Sequence, residues 1–414
     1  MIAYHFPPLA FGAGVERTLS FVRHLPALGW EPLVLSVDVR GYDAVDPHSL
    51  KQVPANLQVR RAFTLDVKRD LSICGHYPQW TALPDRWVSW QLDGVRTGRR
   101  MLRDFAPQVI WSTYPIATAH LIATGLQQSS GLPWIADFRD PMLQDDYPAH
   151  PALRRSFRTI ERNVIGRARF CTFTSPSAVR TYQKRYPDRA DRAILLENGY
   201  EEESFASLAN AHAGTPTGAD RPLLLLHSGV VYPSERDPSR LFEALARLAR
   251  AGSIGPEHLR IRFRASHHDT LLRRLAAANR VEAWIETLPA IAHQAALQEM
   301  MEADALLIMQ GANCNEQIPS KLYEYLRAGR PILALTDPAG DTANALQRMG
   351  VESVVRLDSA IEIEAGLRTF VARLRRQGEP IPDTVAVASA TRGERARVLA
   401  QLLEQASGNV GAHS

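Results

Sequence analysis

No stretch of this sequence approaches the roughly 20 consecutive apolar residues that a bilayer-spanning helix needs, so no membrane span is expected. The opening segment, MIAYHFPPLAFGAG, lacks the continuous apolar core of a secretion signal. Cysteine is scarce: Cys74, Cys171 and Cys314 lie far apart, with no CxxC pair among the 3. That argues against a disulfide framework or a structural zinc cluster and for a reducing compartment, the cytoplasm. There is no long basic tail either. The net charge of +4 comes from arginines spread along the chain. It permits anionic partners without calling for nucleic acid.

What is present is a globular composition, 45% hydrophobic and 22% charged, over 414 residues. That length exceeds one ordinary core, so two domains are expected. Short apolar runs alternate with helical patterns from end to end. The runs are 31–37, 108–113, 133–137, 169–175 and 193–198, then 222–230, 260–266, 281–288, 303–309 and 330–336. Helical periodicity marks 15–28, 152–167, 238–251, 269–279, 292–302 and 319–328. Continuous apolar strands alternating with helices mean parallel sheets covered on both faces, an α/β chain with two doubly wound, Rossmann-like domains. The alternation breaks at SFASLANAHAGTPTGADRP, which reads as a linker. The expected division is 1–205, a linker at 206–221, and 222–389. A terminal amphipathic helix near 390–407 carries Val398, Leu399, Leu402, Leu403 and Ala406 on one stripe that must dock. MIAY leaves about four residues for a first strand at the centre of its sheet, shorter than the usual five or six. An upstream segment completing it is therefore expected.

In open α/β sheets ligands bind beyond the carboxyl ends of the strands. The loops to inspect are 6–14, 112–116, 137–146, 229–237, 265–269, 288–292 and 310–320. The last carries NEQIPSKLYEYLRAGRPILAL. Pro319 suits a first helical position, leaving the amides of Ser320, Lys321 and Leu322 to point out of a helix N-terminus that favours phosphate. Lys321 adds a full charge. Glu324, one turn deeper on the face of Ser320, is suited to accept hydrogen bonds from ribose hydroxyls, and Glu316 from a second polyol. The competing reading is two glutamates on an ordinary surface helix. Position at a strand's carboxyl end, before a tight turn into another buried strand, favours a sugar-nucleotide site.

With these residues in view, the sequence resembles the retaining GT-B glycosyltransferases, in particular glycosyltransferase family 4. The resemblance rests on Glu316 and Glu324 eight apart, ending in EYLRAGRPILAL, with collinear landmarks YHFPPLAFGAGVERTLSFVRHLPALGWEPLVLS, ADFRDP, ENGY and HSGVVYPSERDPSRLFEAL. It implies two Rossmann-like domains facing across a cleft, with a nucleotide-sugar donor in the C-terminal domain and an acceptor against the N-terminal one. The last helix returns to the first domain. It assigns Glu324 to the donor ribose, Glu316 to the transferred sugar, and backbone N–H groups of Gln317 and Ile318 to sugar or phosphate. Lys321 and Arg236 become the phosphate pair, Val230 standing after Gly229 where many relatives carry arginine. Gly12 and Gly14 would let the loop backbone approach the donor. No cofactor and no metal are expected: phosphate is held by amides and cations. The expected partners are a nucleoside-diphosphate sugar, a glycan or lipid-linked acceptor and peripheral contact with an anionic membrane. A GT-B epimerase and a non-catalytic nucleotide-sugar-binding subunit are the alternatives.

Other signals carry less. Gly12-x-Gly14 with Asp38 imitates a dinucleotide fingerprint, but Arg17 replaces the third glycine and HFPPLAF separates the strand from Gly12. Asp137, Arg139 and Asp140 read either as a loop ion pair or as acceptor-side groups. QDDY (144–147) and His267-His268 lack the completeness of metal sites. His120 falls on a helix, later than the loop histidine of many relatives, and is an acceptor-side candidate. On helix 151–169, Leu153, Phe157, Ile160 and Val164 make a buried stripe. Arg154, Arg158 and Arg162 form another face, either solvated with Glu161 as partner or set against anionic lipid.

Overall fold

The computed structural model describes residues 1–10, 12–72, 76–145, 147–209, 221–376 and 378–408. Most of the expected linker, 210–220, lies outside them, as do Cys74 and Asp146 of QDDY. The chain forms two compact units, Met1–Asn198 with Arg392–Ser414, and Gly199–Thr391.

In the first unit strands β1 (Leu33–Val37) and β2 (Gln58–Ala62) pair in parallel, as do β3 (Ile110–Thr113), β4 (Trp134–Arg139), β5 (Phe170–Phe173) and β6 (Ala193–Leu195). Ile2 joins the two sets, bridging in parallel to Leu35 and to Ser112. Its amide donates to the Trp111 carbonyl at 2.7 Å, and the Leu35 amide donates to the Met1 carbonyl at 2.8 Å. The first residues thus occupy the central strand position between β1 and β3. The edge strand β2, QVRRA, lacks the continuous apolar run of the buried strands because it is half exposed and charged.

Helices α1 (Ala13–His24), the short α2 (Val67–Asp70), α3 (Trp90–Phe105), α4 (Thr118–Ser130), α5 (Pro151–Arg167) and α6 (Pro176–Arg185) complete the alternation. α3 and α4 pack through glycine. A Cβ at Gly94 would lie 2.5 Å from Ile122 Cδ1, and one at Gly98 2.5 Å from Leu126 Cδ1. The terminal helix Arg392–Ser407 belongs to this unit. Its Ala396, Leu399, Ala400, Leu402 and Leu403 are buried with Phe21, Leu25, Trp111, Ile135 and Phe170. Each buried leucine contributes roughly 1.5–3 kcal/mol of burial free energy, which accounts for the docking its apolar stripe requires.

The second unit holds one parallel sheet of order β12-β11-β10-β7-β8-β9. The strands are β7 (Leu223–Ser228), β8 (Leu259–Arg264), β9 (Ile285–Leu288), β10 (Ala305–Gln310), β11 (Ile332–Thr336) and β12 (Val354–Val355). Its helices are α7 (Glu202–Ala209), α8 (Ser239–Arg250), α9 (Asp269–Asn279), α10 (His293–Glu302), α11 (Lys321–Ala328), α12 (Asp341–Arg348), α13 (Ala360–Arg375) and α14 (Thr384–Ala388). The central strands LLLLHS, ALLIMQ and ILALT are almost wholly buried, as parallel strands covered on both faces must be. Strand order reverses between β7 and β10. At such a switch point the outgoing loops part and leave a crevice at the carboxyl end of the sheet.

Among the described residues no helix is long and apolar enough to cross a membrane.

Candidate functional site

The loops leaving β7 and β10, on either side of that switch point, carry most of the residues singled out in the sequence. They are stitched together. Asn313 Nδ2 donates to the Ser234 carbonyl at 2.8 Å, and the Gly311 amide to the Glu235 carbonyl. A Cβ at Gly311 would fall 2.9 Å from that same carbonyl, so only glycine permits the approach. Arg236 Nη1 donates to the Val230 carbonyl at 3.0 Å, and its guanidinium lies over the Tyr232 ring. Gly229 has φ +138°, a conformation open to glycine, and a Cβ there would stand 4.0 Å from Lys321 Cε. Glycine is called for here by its φ, and the loop backbone lies beside the lysine side chain.

The second loop is braced on both sides of Glu316. Asn315 Nδ2 donates to Asp337 Oδ2 at 2.6 Å, and its carbonyl accepts the Asp341 amide at 3.0 Å. The Gln317 carbonyl accepts Thr342 Oγ1 at 3.0 Å. Glu316, partly buried, sits between these two tethered residues. Two expectations about amides need correction. The Gln317 amide is taken by the Cys314 carbonyl at 2.9 Å, and the Leu322 amide by the Pro319 carbonyl at 2.9 Å, because a tight turn leads into the helix. α11 opens at Lys321 with Ser320 as its N-cap, so Pro319 precedes the helix. No hydrogen bond within the described residues uses the amides of Ile318, Ser320 and Lys321.

Glu324 is the best-defined carboxylate here. Lys321 Nζ lies 2.8 Å from Oε2 and His293 Nε2 3.1 Å from Oε1. Burial pushes its pKa up, but the hydrogen bond from His293 and the charge of Lys321 outweigh it and hold the pKa down to about 2. It is an anion at any physiological pH. At the end of β7, His227 donates Nδ1–H to the Leu307 carbonyl at 2.9 Å. Burial, with Arg236 and Lys321 nearby, lowers its pKa to about 4, so the ring is neutral. Beside it the Ser228 amide donates to Tyr325 Oη at 2.6 Å.

His293 and His227 were not singled out from sequence. The signal for His293 was near at hand: it is the residue after the 288–292 loop, opening α10.

The strand ends of the first unit look different. Asp137 is wholly buried, and every oxygen is used: Oδ1 by Arg17 Nη2 and Thr172 Oγ1, both at 2.8 Å, and Oδ2 by Arg17 Nε at 3.0 Å and Thr113 Oγ1 at 2.8 Å. Arg17 further donates to the carbonyls of Leu196 and Glu197 and to Asn198 Oδ1. The pair ties α1 to β4 and the end of β6. Asp137 therefore has no lone pair to offer an acceptor. His120 is also corrected: it is fully buried, bonded through Nδ1 to Ser112 Oγ at 2.8 Å, and packed among Trp134, Phe138 and Tyr114. Burial drives its pKa to about 3.

Arg139 follows an irregularity in the β4–β5 register and has φ +63°. Its Nε donates to Thr113 Oγ1 at 2.9 Å, and Nη2 reaches the Gly14 carbonyl at 3.4 Å. Gly14 makes room for it: a Cβ there would stand 2.7 Å from Arg139 Nη1 and 2.9 Å from His5 Cγ. Gly12, exposed at φ +130°, is the N-cap of α1. On α5, Glu161 is not a partner of the arginine face. It is buried and binds Arg185, Tyr182 and Tyr186. Arg154 is held by the carbonyls of Gln144 and Tyr147, leaving Arg158 and Arg162 exposed.

Against known proteins, residues 12–199 match the family model described as a glycosyl transferase 4-like domain. The fold of the chain is similar to that of a glycosyltransferase from Rickettsia africae, with TM-score 0.65, 11% identity, and 99% of each chain covered. It is similar to sucrose-phosphate synthase from Thermosynechococcus elongatus, with TM-score 0.66, 14% identity, and 99% of this chain and 98% of that one covered. It is also similar to HepE of Anabaena in complex with UDP, with TM-score 0.60, 13% identity, and 99% and 96% covered. No curated protein matches the sequence. Residues 12–199 match a glycosyl transferase 4-like domain, and the fold of the whole chain is that of the GT-B glycosyltransferases.

Proposed function

We propose that the protein moves a sugar from a nucleoside-diphosphate donor, held at the switch point of the second unit, to a hydroxyl of a glycan or lipid-linked acceptor. The observation that carries this reading is the arrangement around Gly229: Lys321 beside its backbone, Arg236 anchored on the same loop, and Glu324 fixed as an anion one turn into α11. Glu324 would accept the ribose hydroxyls and Glu316 the hydroxyls of the transferred sugar. Lys321, Arg236 and the amides of Ile318, Ser320 and Lys321 would neutralise the diphosphate. A leaving diphosphate gains charge in the transition state, and cations and dipoles aimed at it lower the barrier. The departing phosphate oxygen takes the acceptor's proton, so no side-chain base is required. Retention of configuration rests on the resemblance to family 4 alone. Because HepE is known with UDP and UDP-glucose, a uridine nucleotide is the first donor to try. A lipid-linked acceptor would bring the protein to the anionic inner face of a membrane as a peripheral partner.

Incubation with a panel of nucleotide sugars, with and without acceptors, tests this. Acceptor-dependent release of nucleoside diphosphate supports transfer. Conversion of the donor to an epimer would assign the chain to the epimerases. Binding without turnover across a broad acceptor panel would assign it to non-catalytic subunits.

A further inference from the structure

α3 carries a second charged feature that the transferase reading does not use. Arg96, Arg99, Arg100 and Arg103 are all exposed. At 3.6 residues per turn they fall, with Leu92, within about 100° of the helix circumference. The opposite side is the buried one, with Gly94, Gly98 and Met101 against the core. A surface groove of about 620 Å³ runs along these arginines, floored by Val95 and by Gly125 of α4. α4 itself has no charged residue, its sequence being TAHLIATGLQQSS apart from the buried His120.

Among the described residues none of the four arginines has a hydrogen-bonded or ion-paired partner. Asp104 stands four residues after Arg100 and makes no ion pair with it, while Asp93 is turned to the Phe63 amide at 2.8 Å. Several exposed helix arginines elsewhere are matched to carboxylates: Arg240 with Glu243, Arg247 and Arg368 with Glu364, Arg397 with Glu394. Arg158 and Arg162 of α5 share the α3 arginines' lack of a carboxylate among the described residues, but stand without an exposed aliphatic residue like Leu92 on their helix. On α3 the i,i+3 and i,i+4 neighbours are like charges, which repel by a few tenths of a kcal/mol per pair in an isolated helix. The face is therefore poised for an external anion. Arginine forks suit phosphate.

A soluble polyanion would satisfy the charges but not the apolar residue among them. Leu92, at the head of the stripe, is 82% exposed, and the chain leading into α3 carries Trp80, 75% exposed. Arginines around an exposed aliphatic side chain match a surface of phosphate headgroups over hydrocarbon. We infer that the α3 face, Leu92 with Arg96, Arg99, Arg100 and Arg103, docks the protein on an anionic phospholipid surface. This deepens the proposed function by naming the surface that would meet a membrane, and it stands on charge and exposure that do not depend on the donor site.

The test is co-sedimentation of the full chain with vesicles of phosphatidylglycerol and phosphatidylcholine at low and high salt. Three variants are compared: R96Q/R99Q/R100Q/R103Q, Leu92→Ser, and R158Q/R162Q on α5. Circular dichroism and UDP affinity serve as folding controls. The expected result is salt-sensitive binding to the anionic vesicles. The four-arginine variant should lose on the order of 100-fold or more of its partitioning, Leu92→Ser severalfold, and the α5 variant little. The inference is overturned if binding is absent at low salt or unchanged in the folded four-arginine variant. It is equally overturned if binding is lost only in the α5 variant, or if inorganic polyphosphate binds to this face while vesicles do not. Nucleoside diphosphate release across the panel of glycan and lipid-linked acceptors is read in parallel: its failure would sink the transferase reading and leave the docking result standing.

Discussion

The strand ends of the two units hold charged residues of the same kinds in opposite conditions. In the first unit Asp137 and Arg17 are buried and saturate one another, with Thr113, Thr172 and three backbone or amide oxygens completing the set. In the second, Lys321 has a side chain 35% exposed, Arg236 is partly exposed and leans on a carbonyl, and Glu324 is an anion between a lysine and a histidine. The first arrangement is architecture: a buried ion pair whose polar atoms all have partners holds elements together and offers nothing to a ligand. The second keeps polar capacity facing out at a topological switch point. Both sets pair carboxylates with cations near the carboxyl ends of parallel strands, so charge and place in the sheet do not distinguish the two. Burial and satisfaction do.

The largest effect is expected at Asp137. Asp137→Ala leaves the Arg17 guanidinium buried without its counter-charge, and removing one partner of a buried pair costs about 3–5 kcal/mol. Urea unfolding should show that loss. If Asp137→Ala left stability intact while abolishing transfer, Asp137 would be a substrate residue after all. A smaller loss, about 1–3 kcal/mol, is expected for Gly14→Val, whose Cβ would press on Arg139 and His5. Thermal denaturation of that variant reads it.

Acid acts on a buried histidine in each unit. His120 in the first unit and His227 in the second are buried neutral, with pKa lowered to about 3 and about 4. The unfolded chain binds a proton at each below an ordinary histidine pKa of about 6.5. The folded protein does not, so stability falls as pH drops below that value, by about 1.4 kcal/mol per pH unit per histidine. The contribution of His227 stops falling near pH 4. That of His120 continues toward pH 3. Glu324, whose pKa is held near 2, acts only in stronger acid: its stabilising pairs persist above its unfolded pKa and are lost as pH falls toward 2. Replacing His120 by Gln should flatten the slope between pH 4 and 6, as followed by urea midpoints; an unchanged slope would mean the ring is protonated in the native state. The smallest effect belongs to His293→Ala, a half-exposed partner of Glu324. Nucleotide affinity should weaken only a few-fold, and less than in Lys321→Ala, consistent with the small energies of exposed pairs.

Much of this was legible in the sequence, for physical reasons. Continuous apolar runs such as LLLLHS and ALLIMQ announce parallel strands covered on both faces, and the stripe Leu399, Leu402, Leu403 announces a helix that docks. Glu316, Lys321 and Glu324 fall together because they leave the carboxyl end of one buried strand and enter the next helix, while Gly229 and Arg236 joined them through the resemblance to family 4. What sequence could not supply was the partner of each charge. Asp137 and Arg17 are 120 residues apart, and no local pattern reveals that they neutralise one another. His120 was a candidate through the loop histidine of many family-4 relatives, yet it lies on the helix face turned into the core, which decides its role. Gln317 donates its amide in the turn before α11 and Leu322 donates its own back to the Pro319 carbonyl, a detail of backbone geometry that Pro319 hints at but does not determine. The arginines of α3 passed unremarked because their isolation from carboxylates is visible only in three dimensions.

The central claim, that the donor is held at the switch point of the second unit, is tested most directly by calorimetric titration of the protein with UDP and UDP-glucose, alongside Lys321→Ala and Glu324→Ala. A lost charged hydrogen bond is worth about 1–3 kcal/mol, so each variant should bind roughly 5- to 150-fold more weakly while melting within a few degrees of the parent. If the parent binds and both folded variants bind as tightly, the donor does not sit on Lys321 and Glu324, and the assignment is wrong.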